Sequence, residues 1–278
     1  MADVCALRGL LHPPAFQIGT RPVPSGSAWL AQNDDVAKRV AEKRRMLGSM
    51  PREAVFMARD DTLAAQDKVR KLISIVPSAN PRAANDDLLP PLLAASMQVT
   101  DDLVIMRECP DGWRLVAASL FAPSYWSLAE KFDRPLDVIH APVPGFGTGE
   151  RKAVLVNRMF SSLPRDAILE RRNWSLHGDG GLFKPKTDAH NILCDMPSAE
   201  QLGTLFVRRE YQTVRRLDVA GDILFTIRVT MHRLRDVKAD RAEGVALADA
   251  IGSLDERERA YKGIGKSAAA LAAYLNAG

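Results

Sequence analysis

Trp126-Ser-Leu-Ala-Glu-Lys-Phe-Asp-Arg-Pro-Leu-Asp-Val-Ile-His140-Ala-Pro-Val-Pro-Gly145-Phe146 lies where the texture of the chain changes. Its first part predicts a short helix. Pro135 opens a second turn, and Pro142 and Pro144 stiffen the exit. His140 stands where regular structure stops. Two strand-like runs precede this stretch and three follow it.

The preceding pair is Asp102-Leu-Val-Ile-Met-Arg-Glu108 and Trp113-Arg-Leu-Val-Ala-Ala-Ser-Leu-Phe121. Cys109-Pro-Asp-Gly112 supplies turn residues between them, which predicts a β-hairpin. Pro123 and Ser124 are expected to open the helical segment. A further helix is expected from about Gly149 to Ser162, with Val154, Leu155, Met159 and Leu163 at helical spacing. Asn173–His177, Leu205–Leu217 and Ile223–Met231 then read as strands. The last two join through a turn at Asp218–Asp222.

On the N-terminal side, residues 33–48 and 61–76 predict helices, the second starting at Asp60 or Asp61 and closed by Pro77. Residues 77–91 carry four prolines and read as a long loop. The tail from Arg235 reads as helical. The expected organisation is an N-terminal arm and helices over 1–90, a core over 91–234 and a C-terminal helical tail over 235–278.

Strand, strand, helices and three strands is the order of a PAS-type fold. The fold class expected is therefore α+β: a PAS-like five-stranded antiparallel sheet with crossing helices, an N-terminal helical wrap and a C-terminal helical tail. Such a layout holds small ligands between sheet and helices.

Composition narrows the function classes. Thirty-eight basic against 34 acidic residues give a net charge of +4 over 278 residues, with no basic stripe interleaved with aromatics, so nucleic acid is not an expected partner. Cys5, Cys109 and Cys194 are widely spaced, which argues against a disulfide framework, a zinc site or an all-cysteine iron–sulfur site. The N-terminus lacks a signal-peptide pattern, and no run of about 18 apolar residues predicts a membrane span. A cytoplasmic setting is expected. No Gly-x-Gly-x-x-Gly opens a helix in a βαβ unit, and Gly178-Asp-Gly-Gly181 reads as a turn.

Several stretches together resemble the heme-dependent oxidative N-demethylases, the catalytic-subunit family that includes dimethylamine monooxygenase. They are Trp126–Lys131 with Arg134-Pro-Leu, Ile139–Phe146, Arg172–Leu176, Arg209–Leu217 and Leu224–Arg228. The likeness runs from near Phe16 to about residue 262. It departs at Tyr211 and Asp218, where the family favours arginine and proline. The resemblance implies a PAS-like core holding heme b on a histidine. It also implies dioxygen chemistry on a small methylated amine, giving formaldehyde and a shorter amine. Electrons are then expected from a separate reductase subunit using NADPH, FMN and an iron–sulfur centre. The alternative on the same fold is a non-catalytic heme-binding sensor or carrier.

Candidate site residues follow. His140 is the expected iron ligand, set against a histidine that merely caps a helix C-terminus. His177 is its rival, His190 reads as loop and His232 as rim. By period two, Arg209, Tyr211, Thr213 and Arg215 share one face of their strand, and Arg208, Glu210, Gln212 and Arg216 the other. Glu210, with Tyr211, is the candidate for receiving the cationic amine. Arg228, inside an apolar run, and Arg215 are the candidates for the heme propionates, because the guanidinium fork matches carboxylates. Trp126 and Trp174 read as core residues or as walls of the heme site.

Overall fold

A computed structural model describes residues 19–24, 29–30, 36–76, 79, 84–186 and 197–277. Its frame is a seven-stranded antiparallel sheet: β1 (Arg21–Pro22), β2 (Phe56–Ala58), β3 (Asp102–Cys109), β4 (Gly112–Ser119), β5 (Ile168–His177), β6 (Phe206–Arg216) and β7 (Ile223–Arg233). The spatial order is β1-β5-β6-β7-β3-β4-β2. Five strands are expected, and all five stand side by side in the middle. The count is corrected to seven by two edge strands from the N-terminal segment. Arg21–Pro22 pairs with Leu169 and Glu170, and Phe56–Ala58 pairs with Ala117–Ser119. Strands of two or three residues are too short to show an alternation in sequence.

Both expected hairpins form. Gly112, at φ +113, turns β3 into β4. Between β6 and β7, Ala220 and Gly221 take positive φ, and Leu217 N–H donates to Asp222 O at 2.7 Å. Arg107 then clamps the Asp222 carboxylate through Nε and Nη2 at 2.8 and 2.6 Å, joining the two hairpins.

Eleven α-helices occur among the described residues: α1 (Val36–Ser49), α2 (Leu63–Ser74), α3 (Pro91–Ser96), α4 (Leu128–Lys131), α5 (Leu136–Ile139), α6 (Arg151–Ser161), α7 (Ala199–Thr204), α8 (Leu234–Ala239), α9 (Arg241–Gly252), α10 (Glu256–Tyr261) and α11 (Ala268–Asn276). None is long and apolar enough to cross a membrane. The expected caps shift. Asp60 and Asp61 lie in a 3-10 turn before α2, and Thr62 is its N-cap. Residues 33–35 lie outside the described residues.

Alternation divides the sheet into two faces. Leu103, Ile105, Val116 and Leu224 face one way and are covered by α1–α3. Trp174, Leu176 and Val207 pack under the tail helices α8, α9 and α11. Val104, Met106, Val214 and Phe225 face the other way from the first group, toward α4–α6.

The stretch 126–146 forms two single helical turns, the second opened by Pro135 as expected. Ser127, not Pro123 or Ser124, starts α4, in a capping box with Glu130. Asp133, at φ 52, breaks the path. Residues 133–135 then run along β4: Asp133 N–H donates to Leu115 O at 2.9 Å, and Arg114 bridges Pro135. Upstream, the Asp102 carboxylate accepts Phe121 N–H at 2.9 Å and Ala122 N–H at 2.8 Å, which fixes the approach to Tyr125 and Trp126. These ties hold the helical layer off the sheet.

Candidate functional site

A cavity of about 1040 Å³ fills the gap between that layer and the sheet. This is at the upper end of small-molecule sites, which span about 300–1,000 Å³. Its helical side is apolar, with Leu136, Ile139, Phe146, Val156 and Met159. Its floor is polar, built by alternate residues of β5 (Arg171, Asn173, Ser175) and β6 (Arg208, Glu210, Gln212). Helix α10 closes the β5 edge with Tyr261, and Lys262 follows it.

His140 is on the apolar side, at the C-cap of α5. Its Nδ1 lies 2.8 Å from Leu136 O. A carbonyl only accepts, so Nδ1 carries the proton and Nε2 keeps its lone pair. Burial, helped by Lys131 and Arg171, lowers the pKa to about 4 against the opposing Leu136 bond. The ring is therefore neutral at pH 7. The chain leaves through Pro142, Pro144 and Gly145, the last at φ +82, and Phe146 turns back to within 6.0 Å of the imidazole.

The floor is a connected network. Arg171 Nη1 donates to Gln212 Oε1 at 3.0 Å, and Gln212 Nε2 donates to Glu210 Oε2 at 2.9 Å. Arg208 Nε donates to Glu210 Oε1 at 3.0 Å. Arg208 also donates to Leu182 O and Ala122 O, so the buried guanidinium is held at three points. Burial works against ionisation of Glu210, but Arg208, Gln212 and Arg171 outweigh it and leave its pKa below the ordinary value.

Positive charge dominates the cavity wall. Lys131, Arg134, Arg171, Arg208, Arg257 and Lys262 line it, against Glu130 and Glu210. Burial lowers Lys131 to about 8 and Lys262 to about 7, and depresses Arg171. Lys262 Nζ donates to Trp174 O at 2.5 Å, which caps a carbonyl of β5. Such burial of cations is costly without compensating anions.

The expected site residues divide between the two faces. His140, Trp126 and Glu210 line the cavity. Lys131 Nζ sits 4.7 Å from the Trp126 ring centroid and donates to Ile139 O at 3.0 Å. Trp174 also borders the cavity, while its side chain belongs to the core under the tail helices. His177 ends β5 on the cavity face but is wholly buried behind the lining.

Tyr211, Arg215 and Arg228 require correction. All three lie on the opposite face, since the cavity takes the even positions of β6 and the odd positions of β7. Tyr211 hydroxyl donates to Glu170 Oε2 at 2.7 Å, and Arg215 stacks on Trp29 at 4.9 Å. Glu210 reaches the cavity with both oxygens already accepting hydrogen bonds, so it organises the floor as well as offering charge. His232 is on the opposite face, 3.1 Å from Thr230 Oγ1. His190 lies outside the described residues. Lys131, Arg171, Tyr125, Tyr261 and Lys262 belong to the site without being expected there. Alternation groups the even-numbered set of β6 correctly, yet nothing local marks which face is hollow.

A family model described as "Haem-dependent oxidative N-demethylase, alpha subunit-like" matches residues 78–272. That span takes in the whole cavity floor, His140 and α10. The chain belongs to this family. Among curated proteins, none matches the chain. The family's description names haem-dependent oxidative N-demethylation and an alpha subunit.

Proposed function

We propose that the protein is a heme-dependent monooxygenase that removes an N-methyl group from a small, dimethylamine-like amine. The observation that carries this is His140, with Nδ1–H bound to Leu136 O and Nε2 left with a lone pair at a cavity wall. A metal-binding imidazole needs that arrangement: one nitrogen fixed by an acceptor, the other available. Two further features fit heme b. The wall around His140 is apolar, and six basic side chains against two acidic ones provide the countercharge that two propionates require.

Heme supplies the dioxygen chemistry when bound. In the overall balance, the N-methyl amine, one dioxygen, two electrons and two protons give the demethylated amine, formaldehyde and one water. His140 would hold the iron through Nε2. Trp126 and Phe146 exclude water from its side of the cavity. Arg171, Lys131 and Lys262 are the charge partners available to propionates, in place of Arg215 and Arg228. The network of Asn173, Glu210 and Gln212 orients the amine, with Glu210 as the anionic pole. Electrons come from a partner reductase bearing NADPH, FMN and iron–sulfur sites, in a cytoplasmic setting. In this reading residues 91–234 form a PAS-like heme-binding core, residues 1–90 an N-terminal arm, and the tail 235–278 closes the cavity through Tyr261 and Lys262. The strand order, with the first strand of the core beside the last, supports that layout.

The test is purification with heme, followed by turnover of dimethylamine and related amines with a reductase. A Soret band and formaldehyde are expected. A chain that stays colourless after reconstitution rejects the heme assignment. A coloured chain that yields no formaldehyde from any methylated amine rejects the substrate class.

A further inference from the structure

The charged groups of the cavity wall divide by depth. Arg134, Arg257 and Glu130 are exposed and form a rim. Inside it, among the described residues, Lys131, Arg171, Arg208 and Lys262 surround one carboxylate, Glu210. Arg208 is committed to that carboxylate and to two backbone carbonyls. Lys131 and Arg171 are the two cations that act on His140, so they stand toward the iron side and match two propionates one for one. Lys262 is the third.

Lys262 is 7% exposed and follows α10 at the cavity edge. Its Nζ donates to Trp174 O at 2.5 Å and lies 4.3 Å from the Trp174 ring centroid, which sets the ammonium beside β5. The charges that face it are Arg171, Glu210 and Glu258. Glu258 is engaged with Asp255 in the capping box that opens α10. Burial foremost, then Arg171, lower the Lys262 pKa to about 7, while Glu210 and Glu258 oppose them. A buried cation in this position is stabilised by an anion brought to it.

The aromatic lining points the same way. Both indoles that border the cavity already carry a lysine ammonium, Lys131 at 4.7 Å from Trp126 and Lys262 at 4.3 Å from Trp174. A bare alkylammonium approaching either ring meets a like charge. With two propionates bound, the interior holds four positive groups against three negative. An alkylammonium doubles that excess. A zwitterion adds nothing to it and brings its negative end to Lys262.

We propose that the amine demethylated in this cavity also carries a carboxylate, bound by Lys262, while Glu210 binds the ammonium end. The substrate class is an N-methylated amino acid. This rests on the N-demethylation reading and adds an acid group to its amine. A carboxylate offers about four acceptor sites, so Glu210 can receive the ammonium besides Arg208 and Gln212.

The test compares N-methylglycine, 3-(methylamino)propanoate and 4-(methylamino)butanoate with N-methylalkylamines of matching length, on the heme-loaded protein with a reductase. At least one acid is expected to exceed its alkyl counterpart in kcat/KM by about 10- to 100-fold, the range a hydrogen bond between charged groups supplies. Lys262→Met removes the ammonium and keeps an unbranched side chain. It is expected to erase the preference, raising KM for the acid on the order of tenfold more than for the alkylamine. A readout apart from turnover is calorimetry of the wild-type protein at pH 8 in buffers of different ionisation heat. A carboxylate beside Lys262 favours its charged form, so the acid is expected to draw a proton from the buffer on binding and the alkylamine is not. Equal kcat/KM for every acid and its alkyl counterpart, with no proton uptake, overturns the inference and leaves N-demethylation standing. A preference that survives Lys262→Met overturns Lys262 as its source. A heme-loaded chain that yields no formaldehyde from any of these amines overturns the reading on which the inference rests.

Discussion

The two faces of β5, β6 and β7 are built from the same strands and both carry charged side chains, yet they are organised differently. On the cavity face, Arg171, Asn173, Arg208, Glu210 and Gln212 form one network around a single carboxylate, within a wall that carries six basic groups against two acidic. On the other face, Glu170 accepts Arg21 Nε at 2.6 Å and Tyr211 hydroxyl at 2.7 Å, and Arg172 stacks on Tyr211 at 5.2 Å. The second set gathers on the Glu170 carboxylate, while Arg209 pairs with Glu243 and Arg215 stacks on Trp29. The first has surplus positive charge turned toward a space. Polar content alone does not mark a site; the direction in which charge is left uncompensated does.

The largest expected effect tests the apolar side of the hollow face. His140→Ala removes the imidazole whose Nδ1–H is held by the Leu136 carbonyl and whose Nε2 keeps its lone pair. Loss of the Soret band and fall of formaldehyde production to background are expected. Retention of a normal band in this variant transfers ligation away from His140 and ends the assignment. Next comes the floor. Arg208→Met leaves Glu210 buried without its closest cation, and breaking such a pair typically costs about 3–5 kcal/mol. Urea unfolding of the heme-free chain checks this. A change below about 1 kcal/mol would mean that Gln212 and Arg171 suffice to hold Glu210.

How much of this is legible in the sequence follows from the range of each signal. Four of the central strands, both long hairpins and helix α6 announce themselves through alternation and 3.6-residue spacing over several residues, whereas β5 is legible only over Asn173–His177 of its full Ile168–His177. Residues Arg21–Pro22 and Phe56–Ala58 carry no such signal, because their pairing is written in the partner strands. The grouping of Arg208, Glu210 and Gln212 onto one face is a local property and can be read directly. Which face is hollow is set by where 128–161 and the tail helices dock, a non-local outcome. Arg228 illustrates the result: an arginine in an apolar run suggests a propionate partner, and the register with Tyr211 instead turns it to the closed face. Lys262 sits in a helical tail with nothing in its neighbourhood to foretell a contact with Trp174, 88 residues away.

pH offers a milder probe of the hollow face. The folded-state pKa of His177 is about 4, below its ordinary 6.5. As pH falls below 6.5 the unfolded chain takes up a proton that the folded chain refuses, so stability is lost between about 6.5 and 4 and is independent of this group above that window. The difference corresponds to roughly 3 kcal/mol. His140 in the heme-free chain acts in the same direction. Stability measured by urea unfolding at about pH 7, 5.5 and 4 should therefore fall less steeply in His177→Gln than in wild type. Equal slopes would show that His177 takes up its proton in the fold as readily as in the unfolded chain, and that its burial does not hold it neutral.

The smallest effects belong to the closed face, and they sharpen the contrast most. Tyr211→Phe deletes the hydroxyl bond to the Glu170 carboxylate, worth about 2 kcal/mol of stability for a hydrogen bond to a charged group. Arg228→Ala removes a side chain whose register partner is Tyr211 and which does not line the cavity. Heme titration of both variants should give wild-type affinity, whereas Arg171→Ala should weaken retention, since Arg171 lines the cavity and is already depressed by burial. A loss of heme affinity in Arg228→Ala equal to that in Arg171→Ala would mean the faces communicate through the strands, and the division between a hollow face and a closed one would no longer describe how this sheet works.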